Sequence, residues 1–354
     1  MSKEIYVLSD IHLGTNEKTD WYQKNDHEEQ LVALLQEIQK QAQETDNDVD
    51  LVLAGDIFDT WLCEMTATPP TIESILKNNQ TVINEFKICL EHCKVFYLNG
   101  NHDMTVTADD VKEIHVKGDK KNKLQWVNAY RTGLLKIEHG HRFAMFNAKD
   151  RLHDPLHGLP VGYYITRMLA GDDSYDRPRA IAGYVDNMLQ AAITTKTISS
   201  AVIEAMMEHR GMEPNDVFKM PFGRRDMTIA EVMNKYKNLF ELWVDKFGYI
   251  YAINSVRAEL GSLNWFADRM SSRGDYKVIV MGHSHECLVD KDSLLQTTDT
   301  IYANSGFWAT KQPSYIHILK DKGSYEVSLF EKTKKTKTKK SKFIRKEKEK
   351  IKLF

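Results

Sequence analysis

The sequence has little of what marks a secreted, fibrous or membrane-spanning chain. Its four cysteines, Cys63, Cys89, Cys93 and Cys287, form no CxxC pair and no regular framework. That argues against a disulfide scaffold and suits a reducing cytosol in which the thiols simply pack. Only 18 glycines and 8 prolines occur in 354 residues, with 42% hydrophobic and 28% charged residues, so wholesale disorder and collagen-like or fibrous readings are excluded. No stretch approaches the roughly 20 apolar residues of a membrane span. The apolar run that follows Met1-Ser2-Lys3-Glu4 is too short for a signal peptide. Net charge is also nearly absent, at −2, but it conceals a split: residues 331–354 hold 12 Lys and Arg against 3 Glu, leaving 36 basic against 47 acidic residues elsewhere. An acidic body therefore carries a basic tail, expected to be a surface apart from it.

What is present alternates. Ile5–Leu8, Leu51–Ala54 and Val95–Leu98 are short apolar runs of strand character. Between them lie helical patterns: Leu31, Leu34, Leu35 and Ile38 after an N-cap at Asp26, and Ile72 to Cys93 at spacings of three, four and seven. Strand, helix, strand, helix, strand implies right-handed crossovers and a largely parallel, buried sheet. Further strands are expected at Leu134–Ile137, Arg142–Phe146, Lys277–Met281, Thr300–Ala303, Tyr315–Leu319 and Tyr325–Phe330. From about 148 to 274 strand signals vanish and methionine-rich helical stretches appear, as in Ile229–Trp243 and Ile253–Met270, with loops at Arg151–Pro160 and Gly171–Pro178. The expected organisation is a core in two parts, 1–147 and 275–331, a helical insertion or lid at 148–274, and a basic tail at 332–354.

The chemistry lies at the strand ends. Five apolar runs each lead into residues suited to bind metal: Asp10-Ile11-His12, Gly55-Asp56, Gly100-Asn101-His102-Asp103, His139-Gly140-His141 and Gly282-His283-Ser284-His285. Sites in open α/β sheets form at the carboxyl ends of strands, so these residues should converge although far apart in sequence. Carboxylate, carboxamide and imidazole without thiolate favour Mn²⁺, Fe or Zn²⁺ over a soft-metal site. Seven such groups exceed one tetrahedral shell and suffice for two ions sharing a carboxylate. Two ions roughly 3.5–4 Å apart stabilise the attacking and leaving oxygens of a phosphoryl displacement and activate water near neutral pH.

The set Asp10-x-His12, Gly55-Asp56-x-x-Asp59, Gly100-Asn101-His102-Asp103, His139-Gly140 and Gly282-His283-x-His285 resembles the calcineurin-like metallophosphoesterase family, in the family's order. The resemblance implies a four-layered α/β/β/α sandwich around two divalent ions, Mn²⁺ first, with Fe, Zn²⁺ or Mg²⁺ as alternatives. It implies one ion on Asp10, His12 and His285, the other on Asn101, His139 and His283, and Asp56 bridging. His102 would protonate the leaving oxygen or stabilise its charge, Asp103 would orient His102, and Asp59 would support the ligands from behind. The position before glycine favours His139 over His141. Gly55–Trp61 also resembles the UDP-2,3-diacylglucosamine pyrophosphatase branch, which has a helical lid after its His-Gly motif but usually arginine where this chain has His102.

The expected function is metal-dependent hydrolysis of a phosphate ester or anhydride, in the cytoplasm or peripherally at a membrane. Rivals are a pyrophosphatase acting on a nucleotide-linked lipid, a nuclease or cyclic-nucleotide phosphodiesterase, and a scaffold on the same fold. Insertion methionines such as Met168 and Met206 suit either a helical core or an apolar pocket. Arg167, Arg177, Arg179, Arg224 and Arg225 are candidates for phosphate contacts. The lysine-rich tail, with Phe343, Ile344, Ile351, Leu353 and Phe354 interleaved, suits disorder, an interfacial helix on an anionic membrane surface, or non-specific nucleic-acid binding.

Overall fold

In the computed structural model, residues 2–44, 48–114, 124–171, 198–261, 263–291, 300–333 and 342–352 are described. The expected alternation opens the chain: β1 (Lys3–Leu8), α1 (Lys24–Glu44), β2 (Asp48–Ala54), α2 (Ile72–Asn78), α3 (Gln80–His92) and β3 (Lys94–Leu98). The pattern read as one helix from Ile72 is two, broken at Asn79, whose side chain donates to Gly14 O and Ile75 O. Short strands β4 (Gln125–Trp126), β5 (Tyr130–Thr132) and β6 (Leu135–Ile137) follow. The strand expected at Arg142–Phe146 does not form. Gly140, at φ 107°, turns the chain sharply after β6, and His141–Phe143 becomes a single 3₁₀ turn whose Phe143 stacks on Phe266, 4.6 Å between centroids.

Helices dominate the insertion: α4 (Val161–Leu169), α5 (Ile198–Arg210), α6 (Ile229–Tyr236), α7 (Leu239–Phe247), α8 (Tyr249–Arg257) and α9 (Asn264–Ser272). A two-stranded ribbon, β7 (Val217–Phe218) with β8 (Met227–Thr228), corrects the expectation of no strands there. Residues 172–178 of the expected Gly171–Pro178 loop, with Arg177 and Arg179, lie outside the described residues. The remaining strands are β9 (Val278–Met281), β10 (Cys287–Asp290), β11 (Ile301–Ser305), β12 (Ser314–Asp321), β13 (Ser324–Lys332) and β14 (Phe343–Lys352).

Two sheets face each other. Among the described residues, one has seven strands in the order β14-β13-β12-β1-β2-β3-β4, the other five in the order β10-β11-β9-β6-β5. Ile5, Val7, Val52 and Val327 of the first meet Leu135, Ile137, Val278 and Ala303 of the second in one core cluster. The opposite face of the first sheet, with Tyr6, Leu8, Leu51 and Leu53, is covered by Leu31, Leu34 and Leu35 of α1 and Val82, Ile83 and Phe86 of α3. The opposite face of the second, with Ile279 and Met281, is covered by Phe266 and Ala267 of α9. Strands buried on both faces explain why their sequences read as continuous apolar runs. The insertion has its own cluster, in which Met168, Met206, Tyr163, Tyr164 and Phe218 meet Trp61, Met65 and Met104 from the loops after β2 and β3. None of the described helices is long and apolar enough to cross a membrane.

The tail departs most from its reading as disordered or an interfacial helix. Residues 343–352 form β14, antiparallel to β13. Ile351 is buried in the core between the sheets, Phe343 packs beside Tyr315 and Trp308, and Glu347 accepts a hydrogen bond from Val289 N of β10 at 2.7 Å. A strand needs only one apolar face, and here that face holds Glu347 and Glu349 before Ile351, so the alternation was masked by charge. Residues 334–341, 353 and 354 lie outside the described residues.

Candidate metal centre

The carboxyl ends of β1, β2 and β3, parallel neighbours in the first sheet, face those of β6 and β9, parallel neighbours in the second. Asp10 and His12 follow β1, Asp56 follows β2, Asn101 and His102 follow β3, His139 follows β6, and His283 and His285 follow β9. The backbone there is unusual. Of the seven described non-glycine residues with positive φ, five are Asp10, His12, Asp56, His283 and His285, at 52° to 68°. Such conformations cost about 1–3 kcal/mol each and persist only when their surroundings over-determine them. Cross-loop hydrogen bonds do so here: Asp10 N to Gly55 O at 3.0 Å, His12 N to Asp56 O at 2.9 Å, and Gly282 N to His139 O at 3.0 Å. Gly100 allows a close approach, since a Cβ there would collide with the Asp56 carboxylate.

The side chains gather in two sets, joined by a third donor group of His12, Asp56 and His102. Asp10, His12 and His285 each offer a ligand atom within 4.8 Å of the others, and so do Asp56, His139 and His283. In the first, His285 Nε2 lies 3.3 Å from Asp10 Oδ1. In the second, His139 Nε2 is 3.1 Å from Asp56 Oδ2, and Asn101 Oδ1 is 3.2 Å from His139 Nε2 and 3.0 Å from His283 Nδ1. Asp56 Oδ2 also stands 3.9 Å from His12 Nε2, so this carboxylate lies between the sets. Two ring tautomers are fixed from behind: His12 Nδ1 by Asp59 Oδ2 at 2.8 Å, and His139 Nδ1 by Ala54 O at 3.0 Å. Both leave Nε2 turned into the cluster.

The donor set fits divalent ions. His12 Nε2 is buried without a hydrogen-bond partner. Burial opposes ionisation of Asp56, yet His139, His102 and His12 hold it well below the usual carboxylate range. Burial likewise lowers the His139 imidazole, but Asp56 and Asp10 overcome it and push the group up to about 9. This is a pocket of buried anions that demands compensating positive charge. Oxygen and imidazole donors without thiolate match borderline and hard cations.

A family model described as calcineurin-like phosphoesterase matches residues 3–287. The chain belongs to the calcineurin-like phosphoesterase family. No curated protein matches it. Among solved structures it is similar to Vacuolar Protein Sorting 29 from Cryptosporidium parvum, at 9% identity over 99% of this chain and 98% of that one, TM-score 0.34. It is also similar to a predicted phosphoesterase from Streptococcus pneumoniae TIGR4, at 10% identity over 98% and 99%, TM-score 0.27. A third is PhoD, at 6% identity over 99% and 70%, TM-score 0.40. Likenesses this distant carry none of the argument about function.

The structure corrects one expected pairing. Asp103 does not face His102. Its carboxylate turns under the loop, accepting from Tyr97 Oη, from Gly100 N at 2.6 Å and from Ile57 N at 3.0 Å, and so ties the loop of Asp56 to that of Asn101. Consecutive side chains in a tight turn diverge, and the carboxylate beside His102 is Asp59 instead, its Oδ2 2.9 Å from His102 Nδ1. That spacing pairs charge without the angle of a hydrogen bond. Burial works against the His102 imidazolium, but Asp59 and Asp56 prevail and its pKa is raised. Indoles flank the ring, Trp61 stacked at 4.6 Å and Trp21 tilted at 5.4 Å. His141 sits behind His139, 5.4 Å between rings, outside all three donor groups, where burial and His139 push it down to about 3.

Of the arginines expected to contact phosphate, the described ones, Arg167, Arg224 and Arg225, are engaged elsewhere. Arg167 is buried and donates to Tyr163 Oη and to the carbonyls of Lys219, Glu64, Met65 and Ala67. Arg224 pairs with Asp154 at 2.9 Å and Arg225 with Glu231 at 2.8 Å. Sequence reasoning also missed neighbours of the site. Phe307 stacks on His285 at 4.3 Å, and Asn304 Nδ2 donates to Gly282 O at 2.7 Å. Both lie at or just past the end of β11, so the same strand-end rule applied once more points to them. Trp21 and Asn147 belong to no motif.

Proposed function

We propose that this phosphoesterase hydrolyses a phosphate ester or anhydride at a dinuclear metal centre. Asp10, His12 and His285 would hold one ion and Asn101, His139 and His283 the other, with Asp56 between them. The observation that carries the reading is the position of Asp56 Oδ2 within reach of both donor sets. Bound there, Mn²⁺, or Fe, Zn²⁺ or Mg²⁺, supplies charge neutralisation for an in-line phosphoryl displacement and activates water. The chain's own residues do the rest. His102, its proton retained beside Asp59, presents Nε2 to the leaving oxygen as general acid. Trp61, stacked on its ring, and Trp21, tilted against it, hold it in place. Asp103 keeps the Asp56 and Asn101 loops in register.

The test is hydrolysis of bis-p-nitrophenyl phosphate with added Mn²⁺, wild type against Asp56→Asn. Turnover that depends on Mn²⁺ and vanishes in the variant supports the reading; no turnover with any divalent ion points to a binding or scaffold role. A panel of nucleotide sugars, mononucleotides and short oligonucleotides then separates the pyrophosphatase, phosphatase and nuclease readings.

A further inference from the structure

The insertion reaches the metal centre through a chain of three polar side chains. Asn101 turns Oδ1 toward His139 and His283, which leaves Nδ2 facing outward, where it donates to Asn147 Oδ1 at 3.1 Å. Asn147 donates its own Nδ2 to Glu259 Oε2 at 2.5 Å. Glu259 lies in the 3₁₀ turn Ala258–Leu260 that follows α8, and its other oxygen accepts from Phe146 N. The segment is seated from both sides. Met145 N donates to Ser255 O of α8 at 3.0 Å and Gly162 N of α4 to Phe146 O at 2.8 Å. A Cβ at Gly162 would stand 2.6 Å from Asn147 Oδ1.

The order of donors matters more than the contacts. A carboxamide has one accepting and one donating end and can be turned round with almost no change of shape, whereas a carboxylate only accepts. With Glu259 at the head, Asn147 must present its NH₂ to the acid and its oxygen to Asn101. Asn101 must then present its NH₂ to Asn147 and its oxygen to the histidines. The acid thus sets the sense of two amides in series.

We propose that Asn147 and Glu259 are positioning residues that hold the Asn101 oxygen toward the site of Asn101, His139 and His283, so that the insertion sets the metal affinity of that half. This rests on the reading of those residues as metal ligands. Glu259→Gln is nearly isosteric but reverses the relay. The fixed Phe146 N–H claims the new carboxamide oxygen, its NH₂ faces Asn147, and both asparagines must turn round, pointing Asn101 Nδ2 at the metal site. The double variant Asn147→Asp with Glu259→Gln restores the sense, because the carboxylate introduced between the two amides accepts from both neighbours.

The experiment titrates Mn²⁺ alone into the full chain by calorimetry, with metal counted per chain and melting temperature as a folding control. Burial pushes the Glu259 carboxyl up to about 8, with the Phe146 and Asn147 N–H groups drawing it back, so binding is measured above that value. Wild type should bind two Mn²⁺. Glu259→Gln and Asn147→Ala should each weaken one of them by about 10–100-fold, the usual cost of losing support behind a ligand, and leave the other unchanged. The double variant should recover to within about threefold of wild type. If Glu259→Gln binds both ions as wild type does, or if the double variant fails to recover, the relay is overturned. If wild type binds no Mn²⁺, the metal reading itself fails, and the relay with it.

Discussion

The two halves of the centre are supported by different parts of the molecule. Around Asp10, His12 and His285 every support comes from the sandwich: Asp59 behind His12, Ser9 Oγ on the Asp10 carboxylate and Phe307 on His285. Around Asn101, His139 and His283 the support is mixed. Ala54 O, at the end of β2, fixes His139, while the Asn101 amide leans through Asn147 on Glu259 of the insertion. The contacts behind one set stay within the sandwich; those behind the other extend into the insertion. The lesson is that one carboxylate, Asp56, can stand between donor sets with separate structural dependencies, and substitutions can pull those dependencies apart.

The largest effect is expected where the halves meet. Asp56→Asn should abolish turnover and lower metal content in both halves, because a neutral amide cannot supply the shared negative charge. Near-normal rate with two metals per chain would break the comparison at its root. His102→Ala comes next and should spare both halves, with Mn²⁺ content unchanged. Loss of general-acid help costs roughly 10²–10⁴ in rate, and the loss should be smallest for p-nitrophenolate esters. An equal loss for good and poor leaving groups would remove His102 from that role. Asp59→Asn sharpens the contrast further, because Asp59 faces both His12 and His102. It should weaken one Mn²⁺ by about 10–100-fold and slow turnover, without touching the half that depends on Glu259.

Smaller effects are expected away from the ligands. Deleting residues 333–354 removes β14 and with it buried Ile351 and the packing of Phe343. At about 1.5–3 kcal/mol for a fully buried aliphatic side chain, thermal unfolding should register a loss of about 2–3 kcal/mol, with two Mn²⁺ still bound. An unchanged melting temperature would return the tail to a separable role. The smallest effect concerns Asp20, whose carboxyl is pushed up to about 7 by burial and by the Asp59 charge. At pH 8 the folded chain must ionise a group that resists it, whereas the unfolded carboxyl, at about 3.9, ionises freely. Stability should therefore rise as pH falls from 8 toward 5. Asp20→Asn should raise the melting temperature more at pH 8 than at pH 5; an equal gain at both would remove the charge as its cause.

The motif residues and the strand runs that carry them were legible because buried parallel strands write themselves as apolar runs and chemistry collects at their ends. What could not be read was set by three-dimensional neighbours. Nothing in Gly100-Asn101-His102-Asp103 says that the aspartate turns under its own loop while Asp59, 43 positions earlier than His102, faces the imidazole. The run Arg142–Phe146 has strand-forming residues, yet the left-handed Gly140 turns the chain off the sheet. β10 escaped notice because only Val289 of its four residues is buried. β14 did because its inner face carries two glutamates, one of which finds a backbone N–H in the opposite sheet. Arg167 reads as a phosphate ligand by type, and only the carbonyls closing around it show a clamp between α4 and the loop after Trp61.

The left-handed backbone at Asp10, His12, Asp56, His283 and His285 also restricts which letters of the amino-acid alphabet these positions tolerate. Beyond glycine, asparagine and aspartate enter that region most readily, while valine, isoleucine and threonine pay heavily for it. Drift at the centre is therefore channelled: a ligand lost to asparagine leaves the loop standing, and a ligand lost to a β-branched residue takes the loop with it. Asparagine or glycine at these five positions would therefore remove a donor while keeping the loop, whereas a β-branched residue there would cost both.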